Sequence, residues 1–537
     1  MGEAVKRAWG QLWNMHNDII RAFQLITQPS SNGGGSISKD EAGGRKKPKR
    51  SRRQNAGLWL GPLLFMICLF GVSPEGMSKE ATAVLASTAW IATWWITEAI
   101  PIPVTSLLPI ILFPLTGAVT EGITSAYADS TIFLFMGGFI LAIALEKWQL
   151  HRRIALNIIL CVGTSTQQIV LGFMVATGFL SMWISNTATA MMMMPIALAV
   201  IKQVDDSLDG QNAKETNFGK AIMLGVAYSA SIGGLGTLIG TPPNTIFAGV
   251  VKEIYHIDLS FGVWMLFGVP LAIILTAAVW FYLVKLAFPM KLKEIPGGKR
   301  NLQKQKEQLG RMSTEEKVVL TVFAATAVAW ITRTFLLVKF MSFLDDTIIA
   351  ITAAILLFVL PSKKAEDGKL LNWNDAKNIP WGILLLFGGG LAIAKGFKDS
   401  GLAQWIGEQL TVLQGIPLLF IIAIVTALVI FLTEITSNTA TATMMFPIMA
   451  SLAAALHIHP YGVMVAAGLA ASCAFMLPVA TPPNAVVFGS GMLKIQDMAK
   501  AGFWINLLSI IVITALIYLF MPVVWGMDLH SFPASLK

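Results

Sequence analysis

The segment SNTATAMMMMPI, beginning at Ser185, returns at Ser437 as SNTATATMMFPI, with ten of twelve positions identical. A second pair follows, GTPPNTIFAG from Gly240 and ATPPNAVVFG from Ala480. The offsets are 252 and 240 residues. The difference of twelve fits the hydrophilic insert QVDDSLDGQNAKETN (203–217), which the second half lacks. One unit therefore occurs twice, and each copy sets polar clusters in the middle of apolar sequence. A fold for this chain must house both copies and find partners for polar groups surrounded by hydrocarbon.

Composition says what that hydrocarbon is. Of 537 residues, 55% are hydrophobic and 13% charged, with a mean hydropathy of +0.67. Soluble domains carry about 25% charged residues, so this chain cannot cover several cores with a wetted surface. An ordinary soluble enzyme and a disordered scaffold are excluded. Cys68, Cys161 and Cys473 lie in apolar runs at spacings that suit neither a disulfide framework nor a zinc module; the expectation is core thiols.

A helix needs about 20 mostly apolar residues to cross a bilayer. Eleven runs qualify: 57–73, 80–98, 101–119, 130–148, 220–250, 260–289, 316–338, 343–361, 380–396, 462–490 and 500–526. Two further stretches, 153–202 and 402–456, are apolar but interrupted by polar clusters. Each is expected to enter and leave on one side as a re-entrant hairpin, since irregular backbone at membrane depth must be packed in protein or line a cavity. The expected fold class is an all-α integral membrane protein of eleven transmembrane helices and two re-entrant hairpins in an inverted repeat.

Charge orients the spans. Residues 45–53, RKKPKRSRR, hold seven basic residues and no acid. They stand before the first long apolar run and read as a positive-inside anchor rather than a nucleic-acid arm. With this run inside, Lys147, Arg152, Arg153, Lys202, Lys214, Lys220, the basic loop 291–317, Lys363, Lys364, Lys369, Lys377, Lys494 and Lys500 also fall inside. That holds only if both hairpins return to the side they came from. The N-terminus is then cytoplasmic and the C-terminus outside, with the cell membrane as the expected location. Upstream, Val5, Trp9, Leu12, His16, Ile19, Phe23 and Ile26 form an amphipathic helical stripe, lying on the membrane surface or docked on the protein itself. The SSNGGGS linker (30–36) follows, and no signal peptide is evident.

The breaks carry the chemistry. The first unit, from about 80, begins outside and the second, from about 316, begins inside. Inverted repeats with discontinuous helices at matched positions point to a secondary transporter with a midplane site. Ser, Asn and Thr of SNT cap the helix that follows. TPPN ends one half-helix and starts the next, since Pro lacks an N–H and suits a first turn. Up to four helix N-termini can meet there, each an anion site. The motifs contain no Lys, Arg or His, so an anion would be held by amides and hydroxyls. The freed carbonyls and side-chain oxygens suit a hard cation such as Na⁺.

Other features are weighed beside these. Glu434 precedes the second cluster where the first copy has Met182, and is either a proton or cation site or a structural acid paired with backbone amides or a Lys. Glu98, in TEAIPIP, is expected to be structural. His457 and His459 fall in a short outer loop and are expected to be solvated, and Met191–Met194 to be helix packing. GGLGTLIG (233–240) has GxGxxxG spacing outside any strand–helix unit and is not read as a nucleotide loop. With no HExxH or Ser–His–Asp arrangement and no base in the breaks, an enzyme is not expected.

The paired SNTAT and TPPN motifs, with TEAIPIP before them, resemble the divalent anion–sodium symporter family, also called the dicarboxylate transporter family, over about 57–526. The resemblance implies a homodimer whose protomers pair a scaffold (57–148, 316–398) with a mobile transport domain (153–290, 402–526) that slides like an elevator. Outside it lie a cytoplasmic extension (1–56), a cytoplasmic loop (291–315) and a tail (527–537). It further implies a first sodium site at Ser181, Ser185, Asn186 and Gly240, and a second at Thr433, Ser437, Asn438 and Ala480. The carboxylate positions it implies are Asn186, Thr187 and Thr241 from one half, and Asn438, Thr439 and Thr481 from the other. Expected partners are C4-dicarboxylate anions, Na⁺ and the bilayer, with no organic cofactor and no nucleic acid. A sodium-independent exchanger, a sulfate or citrate carrier, and a channel remain rivals at this point.

Overall fold

The computed structural model describes residues 51–71, 74–119, 121–163, 165–206, 217–290 and 298–536. The N-terminal amphipathic stripe and the 30–36 linker lie outside the described residues, as does most of the basic run. The described chain is helical, with one isolated bridge between Pro361 and Lys369. Each of the eleven apolar runs holds helix.

Six helices among the described residues are long and apolar enough to cross a membrane: Arg52–Gly71, Thr124–Lys147, Phe261–Ala287, Trp381–Asp399, Asn438–Leu456 and Ile495–Leu519. A pair bent by 117°, Leu402–Leu413 with Leu418–Thr433, raises this to seven. The number is below eleven because caps and prolines shorten or split several of the other runs, while Lys79–Thr97 and Thr314–Arg333 are long enough but carry too many polar and charged residues. Asp345 accepts from Ile348 N–H and starts a 14-residue helix, Asp346–Val359. The 220–250 run divides into Asn217–Gly234 and Pro242–Tyr255, and the 462–490 run into Pro460–Ala471 and Pro482–Gly489. Length alone would also let Asn438–Leu456, half of an expected hairpin, cross.

The interrupted stretches contain more structure than hydropathy shows. The first opens with a separate helix, Leu150–Val162. Gly163 ends it at φ 140°, a conformation open to glycine. Ser165 and Gln168 then build a capping box that starts Thr166–Ser181. Arg153, on that extra helix, is bound to Glu316 at 2.7 Å and to the Leu309 and Gly310 carbonyls. The second stretch likewise opens with Leu402–Leu410 before Leu418–Thr433 and Asn438–Leu456.

Buried apolar side chains form one continuous core from Ala81 to Leu529. Asn217–Gly234 lies at its centre, buried from Phe218 to Gly234 except at Lys220, and packs on Thr166–Ser181. A Cβ on Gly233 would come within 2.2 Å of the Gly178 carbonyl, so this approach demands glycine.

Several smaller expectations change. Only Cys473 is a core thiol; Cys68 is half-buried and Cys161 exposed, because both sit on outward helix faces of a chain whose outer surface is itself apolar. His457 is exposed, but His459 is buried and caps Pro460–Ala471 by accepting from Tyr461 N–H. Burial holds its imidazole down at about 4, in the neutral form that this acceptor role needs. Met193 is fully buried, while Met191 is exposed. Glu98 closes Lys79–Thr97 in the left-handed conformation, a structural role.

Candidate functional site

Thr166–Ser181 stops after Ser181, and Asn186–Asp206 begins after four intervening residues. The last residue of one helix and the first of the next meet. Ser181 Oγ donates to the Ala230 carbonyl at 2.6 Å. One terminal amide atom of Asn186 lies 2.5 Å from Ser181 Oγ, 3.0 Å from the Ala230 carbonyl and 3.2 Å from the Gly240 carbonyl. With the amide nitrogen there, Asn186 donates to all three. With the amide oxygen there, four oxygens converge, a donor set for a hard cation. The occupant of the cluster decides between the two. Ser181 is wholly buried, while Ser185, Asn186 and Thr187 are partly open. Ser185 Oγ accepts from Ala188 N–H, the N-cap bond expected of SNT.

The second break repeats this. Thr433 Oγ1 donates to the Ala471 carbonyl at 2.9 Å and lies 2.7 Å from Asn438 Oδ1. Thr433 is buried; Ser437, Asn438 and Thr439 are partly open. Ser437 makes no side-chain cap bond. Thr436 instead donates to the Leu432 carbonyl and pairs with Thr441.

The TPPN breaks are tied by an asparagine to which sequence reasoning gave no role. Asn244 Nδ2 donates to the Gly234, Leu235 and Thr237 carbonyls at 3.1, 3.3 and 2.8 Å. Asn484 Nδ2 donates to the Ala474 and Leu477 carbonyls at 3.1 and 3.0 Å. Gly234 is the last residue of its helix, and the other carbonyls lie in the non-helical links that follow each half-helix, where no helical N–H reaches them. The duplicated motif held the signal, since both Asn are the last residue of TPPN.

The two halves interlock crosswise. Pro242–Tyr255, after the first TPPN, packs on Asn438–Leu456, after the second SNT; Pro482–Gly489 packs on Asn186–Asp206. Thr241 Oγ1 and Ser472 Oγ lie 3.2 Å apart across the halves. Thr241 and Thr481 are buried, and Thr481 Oγ1 accepts from Asn484 N–H.

The halves diverge at Glu434. Its Oε1 accepts from Phe475 N–H at 2.8 Å, Met476 N–H at 2.9 Å and Asn506 Nδ2 at 2.8 Å; Oε2 accepts from Leu477 N–H at 3.2 Å. Of the two readings weighed for it, the acid paired with backbone amides is what the geometry shows. In the first half Thr237 donates to the Met182 carbonyl at 2.5 Å.

The chain can be set beside known proteins. The family model described as the sodium:sulfate symporter transmembrane region matches residues 54–527. The chain is 51% identical over 490 residues to the sodium-dependent dicarboxylate transporter SdcS of Staphylococcus saprophyticus, covering 90% of this chain and 94% of that protein. It is 51% identical over 500 residues to SdcS of Staphylococcus aureus strain bovine RF122, covering 92% and 96%. Among solved structures, Neisseria gonorrhoeae MtrF, from a class of antimetabolite efflux pumps, aligns with a TM-score of 0.55 over 90% of this chain and 98% of that one. The Alcanivorax borkumensis YdaH transporter aligns with 0.54 over 89% and 100%. Both are 12% identical and show the fold alone.

Proposed function

The chain belongs to the sodium:sulfate symporter family, and from that membership we propose how it works as a membrane transporter. It moves dicarboxylates across the membrane coupled to Na⁺, as the SdcS relatives are named for doing. It is a transporter rather than an enzyme. Our finer reading is a carrier of C4-dicarboxylates of the succinate, malate and fumarate type.

The observation that carries the finer reading is the pair of matched clusters at the SNT breaks. Ser181, Asn186 and the Ala230 and Gly240 carbonyls gather on one side. Thr433, Asn438 and the Ala471 carbonyl gather on the other. We assign one Na⁺ to each, with Ser185 and Ser437 beside them and the Ala480 backbone completing the second. The partly open Asn186, Thr187, Asn438 and Thr439, with Thr241 and Thr481, then face the carboxylates. Two cations offset the dianion's charge, which spares it most of the cost of burial in a low-dielectric site. They also fix the amide orientation of each Asn, so that the substrate site takes shape only after the ions bind. That order makes uptake sodium-coupled.

In this reading the two broken stretches are re-entrant hairpins among eleven spans of an inverted repeat. The scaffold is 57–148 and 316–398, the sliding domain 153–290 and 402–526, and the protein a homodimer of the cell membrane. The N-terminus is cytoplasmic and the C-terminus outside. The test is radiolabelled succinate uptake into proteoliposomes, with Na⁺, K⁺ and internal succinate varied independently. Uptake into succinate-free vesicles should need Na⁺ and depend on it sigmoidally. Uptake indifferent to replacing Na⁺ by K⁺ or choline, yet strictly needing internal dicarboxylate, would make the protein an exchanger.

A further inference from the structure

Outside the transport site, an apolar concavity lies between the end of Phe261–Ala287 and the start of Ile495–Leu519. It holds about 690 Å³ and is lined by Ala277, Ala278, Phe281, Tyr282 and Leu286 on one wall and by Trp504 and Leu508 on the other. Helix geometry explains the concavity. From Tyr282 to Ala287 the chain winds as a π-helix, with Phe288 N–H reaching back five residues to the Leu283 carbonyl. Such a wide turn is rare in proteins and common at functional positions. Here it displaces the wall, and the alanines at 277 and 278 leave the floor without side-chain bulk.

Each of the two helices carries a lysine toward the same end, beside the lining rather than in it. Lys500, Trp504 and Leu508 are spaced by four and share one helix face. Lys285 follows Phe281 by four along the other wall and is exposed, as is Lys500. The helix Asn217–Gly234 ties the two ends together. Its Asn217 donates to the Pro289 carbonyl at 2.9 Å, and its Lys220 pairs with Asp497 at 3.0 Å. The groove is therefore apolar within and cationic at its mouth, with the amphipathic rings of Tyr282 and Trp504 between.

We propose that this groove is a binding site for an anionic phospholipid, with an acyl chain along Phe281, Trp504 and Leu508 and the phosphate between Lys285 and Lys500. Charge selects this occupant. A lysine near a membrane surface favours an anionic headgroup over a zwitterionic one by roughly fivefold, and two lysines share the mouth. A second copy of the chain would bring its own exposed lysines against these two.

The experiment reconstitutes the full-length protein with phosphatidylglycerol carrying a photoactivatable diazirine in its chain, and separately with the phosphatidylcholine twin. Labelled peptides are mapped by mass spectrometry. Phosphatidylglycerol should label 277–287 and 500–508 at least fivefold more than phosphatidylcholine does, with no such preference on the exposed face of Leu418–Thr433 (Phe420, Ile424, Leu428), which carries no basic residue. Lys285→Glu with Lys500→Glu should abolish the preference while succinate uptake persists. Equal labelling by both lipids in the wild type, the same preference along Leu418–Thr433, or cross-links between two copies at these segments would overturn the proposal. The wild-type ratio decides alone if the double variant does not fold.

Discussion

The first break is held by closeness and the second by charge. At the first, a Cβ on Gly240 would lie 2.5 Å from the Gly234 carbonyl, and one on Gly234 would lie 2.8 Å from Asn186 Oδ1. Bare backbone is what lets these groups meet. At the second, Ala474 and Ala480 stand at the matching positions, and Glu434 gathers the amides of Phe475, Met476 and Leu477 with the Asn506 side chain. The same twelve-residue motif thus sits on two different foundations. A duplicated sequence need not give two equal ion sites, because the motif supplies ligands while the surroundings set their spacing and potential.

The largest effect should come from the residue common to both. Asn186→Ala and Asn438→Ala each remove a side chain that we assign to ion and substrate together. A buried, charge-assisted hydrogen bond contributes about 1.5–3 kcal/mol before any ion is lost. Succinate uptake should fall to background in both, with normal membrane insertion and monodispersity. Near-normal uptake by well-expressed Asn438→Ala would remove the site assignment.

Next comes a reciprocal exchange. Gly240→Ala forces a methyl against the Gly234 backbone, and overpacking of this kind costs about 1–3 kcal/mol. Ala480→Gly opens space and costs about 0.5–1 kcal/mol of backbone entropy at most. The Na⁺ concentration for half-maximal uptake should rise tenfold or more in the first and less than threefold in the second. Equal shifts would mean that closeness is not what holds the first site.

Glu434→Gln tests the other foundation. The side-chain length is kept, but the charge goes and one terminal atom becomes a donor facing N–H groups. Loss of one charge-assisted bond amounts to about 1.5–3 kcal/mol. The detergent-solubilised protein should melt several degrees lower, with Na⁺ affinity reduced less than in Gly240→Ala. An unchanged melting temperature would show that the four bonds to Glu434 are not what fixes the second break.

How much of this the sequence disclosed follows from where the signal resides. Polar clusters inside apolar runs are visible in any reading, so the breaks with Asn186 and Asn438 were legible; Ser181 and Thr433 lie outside the duplicated motif and came only from the family resemblance. The Ala230 and Ala471 carbonyls were not legible, because backbone oxygens leave no mark on residue identity. Glu434 could be seen as unusual, yet its partners lie 41 to 72 residues away, beyond any local pattern. Leu150–Val162 was merged into a hairpin because hydropathy does not register Gly163 and the Ser165 cap. Cys161 was misplaced because an apolar run in a membrane protein has two apolar environments, core and lipid, that composition does not separate.

Topology can be checked independently of the ions. In a background where exposed Cys161 and half-buried Cys68 are replaced, a Cys in the 291–317 loop should label only from the cytoplasmic side. A Cys at Ser531 should label only from outside. Labelling of both from one side would shift the span count by one and disturb the equivalence of the two breaks.

The smallest effect sharpens the comparison most. Ser181→Ala and Thr433→Ala remove corresponding hydroxyls, each of which donates to a carbonyl and lies against an Asn amide. Each should right-shift the Na⁺ curve more than it weakens succinate binding at saturating Na⁺, because the hydroxyl belongs to the ion cluster and not to the carboxylate positions. The two should also differ. Without Thr433, the second break keeps Glu434 on three backbone amides, so Ala471 and Asn438 lose a ligand but not their frame. Without Ser181, the first break loses the side chain that links Ala230 to Asn186, and no carboxylate stands in reserve. A net hydrogen bond contributes about 0.5–1.5 kcal/mol, or roughly twofold to twelvefold in an equilibrium constant. Ser181→Ala should fall at the upper end of that range and Thr433→Ala at the lower. The double variant Thr433→Ala/Glu434→Gln should then shift by more than the two single changes combined, since each substitution removes what the other relies on. Equal shifts for the two hydroxyls, with simple additivity in the double variant, would leave the difference between the breaks structural and without consequence for ion binding.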